Sequence, residues 1–499
     1  MFGGSSQRLL RGRAMTDTGS RPKVHLNIAG ERIETGSGGV HVHINPSTGQ
    51  ADAKIPLAGP GEVDRAVEAA DVAFRDWRRT APEERRRLLL RLADLIEANA
   101  DEFGRRGTMD NGTPAAVVGG MTASAAEWTR YYAGWADKLS GELSSSFSAG
   151  VGELNYTLLE PYGVVGIIIT WNGPLISLAM KVPPALAAGC TVVCKPSELT
   201  PFSAELFMDL VEEAGFPTGV CSILPGDPGA GEALVVHPKV RKVSFTGGPV
   251  TASRILHACA DTMKPATLEL GGKSANIVFD DADLDQACGL GAMMSVGVLS
   301  GQGCAFPTRM LVQRPVYEEM ITRVAMVAKG ITVGDPWDPA VISGPVVNEA
   351  ALERILGMIE RANKDGARLV TGGSRIGGDL AGGYFLEPTV FADVGPDSEL
   401  AQNEVFGPVL AITPFDSDDD AIRIANNTRY GLSGYIQTTN LSRGLQVAEE
   451  LQTGEVLING AANLRVQRPF GGIGISGIGK EGGKLGVEEF LRVKAVGIA

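Results

Sequence analysis

The chain lacks the patterns that direct a protein to a membrane, to nucleic acid or to disulfide cross-linking. No apolar stretch in its 499 residues approaches the roughly 20 residues of a membrane span. The net charge is −13 and no long basic run follows the N-terminal residues, so neither a membrane nor nucleic acid is expected as a partner. Six cysteines are too few for a disulfide framework in a chain of this length, which favours a reducing, cytoplasmic location.

Histidine is also scarce. The chain has five histidines, and none lies in a motif that supplies a base to a cysteine, which disfavours a thiol hydrolase. No histidine follows Cys190 and Cys194 at a zinc-binding spacing, so no metal is expected. The Gly-x-Gly-x-x-Gly fingerprint of ordinary dinucleotide-binding folds is absent from its usual context. Despite the negative net charge of the chain, backbone amides at the start of a helix can still bind a phosphate group.

What the chain does have is the alternation of strands and helices of an α/β protein. Its length predicts at least two domains. Apolar residues recur at helical spacing from Pro60 to Trp77 and from Glu83 to Asn99. From Tyr162 onward, short apolar runs alternate with helical segments, as in a doubly wound parallel sheet. These predicted strands are Val164–Ile169, Thr191–Cys194, Cys221–Leu224 and Val240–Phe245.

A second α/β region is predicted from about Lys273 to Gly474. Serines, glycines and alternating residues in Leu139–Leu159 predict an exposed hairpin arm, and the β-like Phe490–Ile498 would pair with it in this or another subunit. The basic residues 1–14 faintly resemble a targeting segment, but residues 1–24 are predicted to be a disordered extension. The strand candidates of the second region are Ala275–Phe279, Thr308–Gln313, Val409–Pro414 and Gly434–Gln437.

Cys304 most clearly suggests covalent chemistry. It ends the run Gly301-Gln302-Gly303-Cys304, in which glycines leave the thiol open to a substrate. Glu269 ends another predicted strand and is followed by Leu270, Gly271 and Gly272. It fits either a strand-end carboxylate with local hydrogen bonds or a base that activates water. The second role requires a pKa raised by partial burial.

Three polar motifs follow predicted strands of the first region. In Trp171-Asn172-Gly173-Pro174 the amide fits an oxyanion donor or a local turn. In Lys195-Pro196-Ser197-Glu198 the acid fits a ribose ligand that repels a 2′-phosphate, or a solvated strand end. Phe245-Thr246-Gly247-Gly248 opens a helix, either as a pyrophosphate site or as a plain tight turn. Two further glycine-proline turns are Glu404–Pro408 and Pro469–Gly472.

Each motif is ambiguous by itself, but their order resembles that of the NAD(P)-dependent aldehyde dehydrogenase superfamily. The resemblance covers the chain from about residue 25 to its end, and the Gly-Gln-Gly-Cys, Glu-Leu-Gly-Gly-Lys and Glu-x-Phe-Gly-Pro runs are highly specific together. It implies an α/β, aldehyde dehydrogenase-like fold. The implied parts are a Rossmann-type cofactor domain (25–138 and 160–271), an α/β catalytic domain (272–487) and a small β oligomerisation arm (139–159 and 488–499).

The resemblance also implies a mechanism of the hydrolytic type. Cys304 would attack an aldehyde as a thiolate, and the Asn172 amide with the Cys304 backbone N–H would hold the oxyanion of the thiohemiacetal. Hydride would pass to the nicotinamide and leave a thioester, which Glu269 would hydrolyse by activating water. Lys181 and Glu481 match positions that line the passage by which water or protons reach the site.

The implied cofactor is NAD. Lys195 and Glu198 would hold the adenine ribose, and Glu198 would favour NAD over NADP because its charge repels a 2′-phosphate. Glu404 would hold the nicotinamide ribose, with Phe406 near the ring. The complete set of implied cofactor residues is Ile169, Thr170, Trp171, Lys195, Ser197, Glu198, Phe245, Thr246, Gly247, Gly248, Leu270, Gly271, Glu404 and Phe406.

Some positions depart from the usual pattern of the family. Gly248 stands where serine is common, which alters the expected pyrophosphate contacts. Four positions of the expected substrate tunnel hold non-aromatic residues where many relatives have aromatic ones. This difference implies a broad aliphatic pocket and a bulky or hydrophobic aldehyde. These residues are Gly173, Ser177, Met180 and Leu464.

Two alternative functions remain open at this point. A CoA-acylating semialdehyde dehydrogenase would pass the acyl group to CoA, although such relatives typically lack a glutamate at the position of Glu269. A non-catalytic protein on the same scaffold would not need Cys304, Glu269 and Asn172 together. The family also implies a homodimer or homotetramer.

Overall fold

The computed structural model describes residues 19–148, 151–460 and 463–498. The first eighteen residues of the predicted extension lie outside the described residues, as do residues 149, 150 and 499 of the predicted arm. Among the described helices, none combines the length and apolar character needed to cross a membrane.

The described strands and helices alternate along most of the chain. The strands are β1 (Leu26–Ile28), β2 (Glu31–Ile33), β3 (Gly39–Asn45), β4 (Gln50–Leu57), β5 (Leu143–Ser148), β6 (Val151–Pro161), β7 (Val164–Ile168), β8 (Thr191–Lys195), β9 (Cys221–Ile223), β10 (Val240–Thr246), β11 (Ala266–Glu269), β12 (Ala275–Val278), β13 (Arg309–Gln313), β14 (Arg368–Thr371), β15 (Thr389–Ala392), β16 (Val409–Phe415), β17 (Ser433–Gln437), β18 (Glu455–Ile458), β19 (Gly477–Ile478) and β20 (Leu491–Ile498). The helices are α1 (Pro60–Trp77), α2 (Pro82–Ala98), α3 (Ala100–Asn111), α4 (Ala115–Ala133), α5 (Pro174–Ala188), α6 (Phe202–Ala214), α7 (Pro228–Val236), α8 (Pro249–Ala260), α9 (Leu284–Ala292), α10 (Tyr317–Gly330), α11 (Glu349–Lys364), α12 (Glu399–Gln402), α13 (Asp418–Asn426), α14 (Leu441–Glu450) and α15 (Gly483–Glu488).

The larger sheet is built around β7. Eight of the described strands form it in the order β19-β11-β10-β7-β8-β9-β1-β2, with β7 to β11 parallel to one another. Val165 and Ile167 pack into one core with α2, α4, α5 and α6, whereas Val164 and Ile168 pack into another with α1, α7 and α8. Helices therefore cover both faces, which is why β7 is a continuous apolar run. The strand order reverses between β7 and β10, a topological switch point.

The second sheet forms the other α/β unit. Its described strands run in the order β14-β15-β16-β13-β12-β17-β18, parallel except for the antiparallel edge strand β14. The four strands predicted for this region correspond to β12, β13, β16 and β17. Its cores consist of aliphatic side chains such as Val278, Met310 and Ile412 on one face, and Ile277, Leu311 and Ile436 on the other.

A three-stranded sheet forms the arm. The hairpin of β5 and β6 pairs with β20, whose register runs from Leu491 opposite Pro161 to Ile498 opposite Leu154. The predicted hairpin and C-terminal strand therefore pair within this chain.

The structure differs from the predicted division at two places. Val24 is buried with Ile55 and Phe202, so the packed chain begins before residue 25. Residues Gly477–Ile478, predicted to belong to the catalytic domain, pair with β11 in the larger sheet. A lone valine and a two-residue strand beside glycines carry no periodic signal, because their packing depends on distant residues.

Candidate active site

A cleft of about 670 Å³ lies at the switch point of the larger sheet. The segments that follow β7 and β10 form its wall, because the carboxyl ends of parallel strands meet at one edge. Every predicted cofactor residue, from Ile169 to Phe406, lines this cleft together with Asn172, Glu269 and Cys304. Of the predicted catalytic residues, Lys181 and Glu481 do not line it.

A strained loop presents Cys304 to the cleft. Helix α9 continues into a π-helical turn at Met293–Gly297, and then Leu299 and Ser300 adopt φ values of 51° and 50°. Left-handed backbone at such residues costs about 1–3 kcal/mol each and persists only where neighbouring contacts enforce it. Here the Ser300 hydroxyl donates to the Gly344 carbonyl at 2.6 Å. The loop that carries Cys304 therefore has a fixed backbone conformation.

The Cys304 thiol is half-buried and has a raised pKa. Burial raises the pKa of this thiol to about 12, and the carboxylates of Glu404 and Glu269 act in the same direction. The backbone N–H groups of Cys304 and Ala305 oppose the shift. The sulfur is therefore a protonated thiol near neutral pH when the cleft holds no positive charge.

This pKa predicts how Cys304 reacts in the cofactor-free protein. The rate of alkylation by iodoacetamide is expected to rise about tenfold per pH unit between pH 7 and 9, because only the thiolate reacts. Peptide mapping by mass spectrometry follows Cys304 separately from the other five cysteines, which are buried. A rate that levels off below pH 8 would contradict the raised pKa.

Asn172 lies against the nucleophile loop. Its Nδ2 atom donates to the Gln302 carbonyl oxygen at 2.8 Å, two residues before Cys304. A side-chain amide has two N–H donors, so this bond orients the group and leaves one donor for a ligand. The residue therefore combines a fixed position with free donor capacity beside the thiol.

Glu269 is a buried carboxyl group without a hydrogen-bond partner on either oxygen among the described residues. Burial raises its pKa well above the ordinary value, and the negative charge of Glu481 adds to the shift. A Cβ atom at Gly471 would lie 2.5 Å from its Oε1, so the glycine of the Pro469–Gly472 turn leaves room for the carboxyl group. A buried carboxyl with both oxygens unpaired is suited to exchange a proton with water.

Lys181 and Glu481 form a buried ion pair behind Glu269. The two side chains are 1% and 6% exposed, and Lys181 Nζ also donates to the Ser244 hydroxyl at 3.0 Å. Both charges act on the Glu269 carboxyl, Glu481 raising and Lys181 lowering its pKa. The structure thus places the two predicted passage residues next to the proposed base, away from the cleft wall.

The middle of the cleft fits a pyrophosphate. Helix α8 begins with Gly248 as its N-cap and has no side-chain cap, so its first N–H groups lack partners from a capping side chain. A Cβ atom at Gly248 would meet no atom within 4 Å, so the helix start is open on the side of that bond. Uncapped amides and the helix dipole favour an anion at this position.

Lys195 and Glu198 form a polar corner beside that helix start. Lys195 Nζ donates to the Gly226 carbonyl at 2.6 Å and the Pro196 carbonyl at 2.9 Å, and lies 3.8 Å from the Glu198 carboxylate. A lysine ammonium has three donors, so one remains for a ligand hydroxyl. Burial lowers the pKa of Lys195.

Glu404 and Phe406 close the end of the cleft near Cys304. The Gly272 N–H donates to Glu404 Oε1 at 3.0 Å, and a Cβ atom at Gly271 would lie only 2.1 Å from Oε2. Burial raises the pKa of Glu404 to about 7. The Phe406 ring packs edge-on against Trp171 with centroids 5.4 Å apart. The successive glycines therefore permit the approach of Glu404.

The cleft also contains a wall that sequence reasoning did not identify. It consists of one face of α7 and one face of α8. The motifs identified in the sequence lie outside these two short helices. The only sequence signal for these residues is their helical spacing, and any amphipathic helix shows the same spacing. The residues are Pro228, Gly231, Glu232, Val235, Thr251, Arg254, Ile255 and Ala258.

One cluster outside the cleft has metal-ligand chemistry. Asp64, Glu68 and His237 bring ligand atoms within 4.8 Å of one another. His237 Nε2 lies 3.2 Å from Asp64, and Lys239 already pairs with Glu68 at 2.5 Å. These groups satisfy one another at the surface, and none of them lines the cleft.

Comparison with known proteins decides the family. The sequence profile of the aldehyde dehydrogenase family matches residues 34–496. The chain belongs to this family. An aldehyde dehydrogenase of Enchytraeus buchholzi is 43% identical over 480 residues, which are 95% of each protein. The NAD⁺ complex of an aldehyde dehydrogenase from Bacillus cereus has a TM-score of 0.92 and 39% identity, and the match covers 96% of both chains.

More distant members share the fold. The NAD⁺ complex of betaine aldehyde dehydrogenase from Staphylococcus aureus has a TM-score of 0.92 at 33% identity, over 95% of this chain and 94% of that one. Membership confirms the predicted α/β, aldehyde dehydrogenase-like fold. It also confirms an oxidoreductase that acts on aldehydes and uses NAD.

Proposed function

We propose that the chain oxidises an aldehyde to a carboxylic acid through a covalent intermediate on Cys304. The observation that carries this proposal is the meeting, in one cleft, of a loop-held thiol, an amide donor and a buried unpartnered carboxyl group. When bound, NAD would supply the hydride acceptor, and the positive charge of its oxidised ring would favour the thiolate form of Cys304. The residues that hold it are those described above for the helix start, the Lys195–Glu198 corner and Glu404.

Cys304 and Asn172 perform the first half of the reaction. The Cys304 thiol gives up its proton to water, and the resulting thiolate sulfur forms a bond to the aldehyde carbon as the carbonyl π electrons move to oxygen. The free Nδ2–H of Asn172 and the Cys304 backbone N–H then stabilise that oxyanion. One such donor contributes about 10²–10³-fold in acyl-transfer enzymes. The oxyanion then re-forms the carbonyl as the carbon–hydrogen bond breaks and hydride leaves to the bound acceptor, so the product on Cys304 is a thioester.

Glu269 performs the second half. It takes a proton from water, the water oxygen attacks the thioester carbonyl, and the carbon–sulfur bond breaks to release the acid and the Cys304 thiolate. The Lys181–Glu481 pair acts on the carboxyl group through its charges and accepts the proton that the base takes from water. This arrangement favours hydrolysis over transfer to CoA.

The direct test measures the product and the cofactor together. A panel of aldehydes assayed by NADH absorbance is expected to yield free acid with NAD and no requirement for CoA. Glu198→Gln is expected to raise kcat/KM with NADP by about tenfold, because the variant removes a negative charge that repels the 2′-phosphate. Acyl-CoA formation that depends on added CoA would overturn the hydrolytic proposal, and unchanged NADP use would overturn the role of Glu198.

The proposal extends to substrate size, assembly and location. Met180 belongs to the core cluster against which Leu464 and Cys304 also pack, and Ser177 is buried; these small or flexible side chains support a bulky or hydrophobic aldehyde. On the arm, Leu154, Leu158 and Val493 are 42–68% exposed, which supports a homodimer or homotetramer. Each cysteine is a free thiol, which supports the reducing cytoplasm.

A further inference from the structure

Two helix faces form the outer half of the cleft. In each helix the lining residues follow the spacing i, i+3, i+4, i+7, so they lie on one face. Most of these residues are small or apolar. The faces are Pro228, Gly231, Glu232 and Val235 on α7, and Thr251, Arg254, Ile255 and Ala258 on α8.

Each face carries a single charged residue, and the two charges are opposite. Glu232 and Arg254 are both exposed, and among the described residues neither makes an ion pair or a side-chain hydrogen bond. Some arginines at the surface pair, as Arg130 does with Asp94 and Glu97, whereas within the described residues others such as Arg91 do not, so what distinguishes Arg254 is that it lines the cleft. An unpaired cation and an unpaired anion that line one cleft are available to a ligand.

The position of Arg254 and Glu232 along the cleft indicates which part of a dinucleotide would contact these two residues. Arg254 follows the uncapped start of α8 at Gly248 by six residues, about 9 Å along a helix axis. A pyrophosphate at that start and a ribose at the Lys195–Glu198 corner leave the adenine ring for this half of the cleft. Val235 and Ile255, which are buried, supply an apolar wall for the ring.

We propose that Arg254 and Glu232 form an adenine clasp. The Arg254 guanidinium stacks on the ring, as planar guanidinium groups do on aromatic faces. The Glu232 carboxylate accepts a hydrogen bond from the exocyclic amine of adenine. An ionised carboxylate only accepts, so it also rejects a base that has a carbonyl oxygen in place of the amine. The clasp rests on the proposed placement of NAD in this cleft.

Calorimetric binding to the full-length protein tests the clasp without requiring turnover. The probes are AMP, NAD and nicotinamide hypoxanthine dinucleotide, in which a carbonyl oxygen replaces the amine. Wild-type protein is expected to bind NAD about tenfold more tightly than the hypoxanthine analogue. Arg254→Ala is expected to weaken AMP and NAD binding by about fivefold.

Glu232→Gln separates recognition of the base from general binding. Glutamine both donates and accepts, so the variant is expected to bind the adenine and hypoxanthine dinucleotides within about twofold of each other. Arg91→Ala is the matched control, because Arg91 is an exposed helical arginine outside the cleft. Its binding constants are expected to equal those of the wild type.

Three outcomes would overturn the proposal in distinguishable ways. Absence of NAD and AMP binding by the wild type would remove the proposed placement of the cofactor itself. Normal binding that neither variant changes would remove the clasp alone. Loss of NADP binding with unchanged AMP binding in Arg254→Ala would assign Arg254 to a 2′-phosphate instead of the adenine ring.

Discussion

Replacing Cys304 with alanine is expected to lower kcat by more than about 10⁴-fold while the affinity for NAD stays within about twofold of the wild type. The thiol supplies the only proposed covalent bond to the aldehyde, and without it no tetrahedral adduct is held in the cleft from which hydride can leave. In the proposed placement of NAD, cofactor affinity depends on contacts elsewhere in the cleft, at the start of α8 and at Lys195, Glu198 and Glu404, which all line it. NADH absorbance measures the first quantity and calorimetry the second.

A control variant separates loss of chemistry from loss of stability. Cys288→Ala removes a buried thiol that does not line the cleft, and kcat is expected to stay within about twofold of the wild type. Mass spectrometry of wild-type protein quenched during turnover should show an acyl adduct on Cys304. Full activity of Cys304→Ala would eliminate the covalent mechanism.

Glu269→Gln is expected to abolish steady turnover while sparing the first oxidation. A burst of one NADH per active site should persist, and the following rate should fall by about 10²–10⁴-fold, because the thioester loses the base that activates water. The side chain keeps its shape, and the neutral amide removes an ionisable group from a buried position. Stopped-flow absorbance resolves the burst from the steady rate.

The pH dependence offers an independent readout of the same residue. The base acts only when deprotonated, and burial raises its pKa, so wild-type deacylation is expected to increase with pH through that raised pKa. Glu269→Gln should lose this dependence, whereas Glu353→Gln, an exposed carboxylate on α11, should retain it. A burst lost as severely as the steady rate would show that Glu269 acts before acylation.

Much of the fold could be predicted because its signals are local. A strand buried on both faces needs a continuous apolar run, and β7, β8, β9 and β10 all appeared within one residue of their predicted ends. The amphipathic helices α1 and α2 were likewise evident from their apolar spacing. The edge strand β14 was not predicted because its side chains are exposed or half-buried and form no apolar run. The two-residue strand β19 was not predicted because it pairs with β11, far earlier in the chain.

Some residues of the candidate site could likewise be predicted from local motifs, whereas others could be identified only from the tertiary structure. Glycine-bearing motifs indicated Cys304, Glu269 and the segments proposed to bind the dinucleotide, since glycine marks places where backbone approaches a ligand. No glycine-bearing motif indicated the proposed roles of Glu232 and Arg254. Charged residues on short helices are common, and only the facing of α7 and α8 across one cleft singles out this pair.

By itself, the sequence determined the family, the α/β class, and the residue types available for nucleophile, base and oxyanion donor. These follow from the identity and order of local motifs. Only the tertiary structure decided the state of those groups: the unpaired carboxyl of Glu269, the raised pKa of Cys304, and the buried Lys181–Glu481 pair, whose members are 300 positions apart. Protonation and pairing depend on distances and burial in space, which residues far apart in the chain acquire only when it folds.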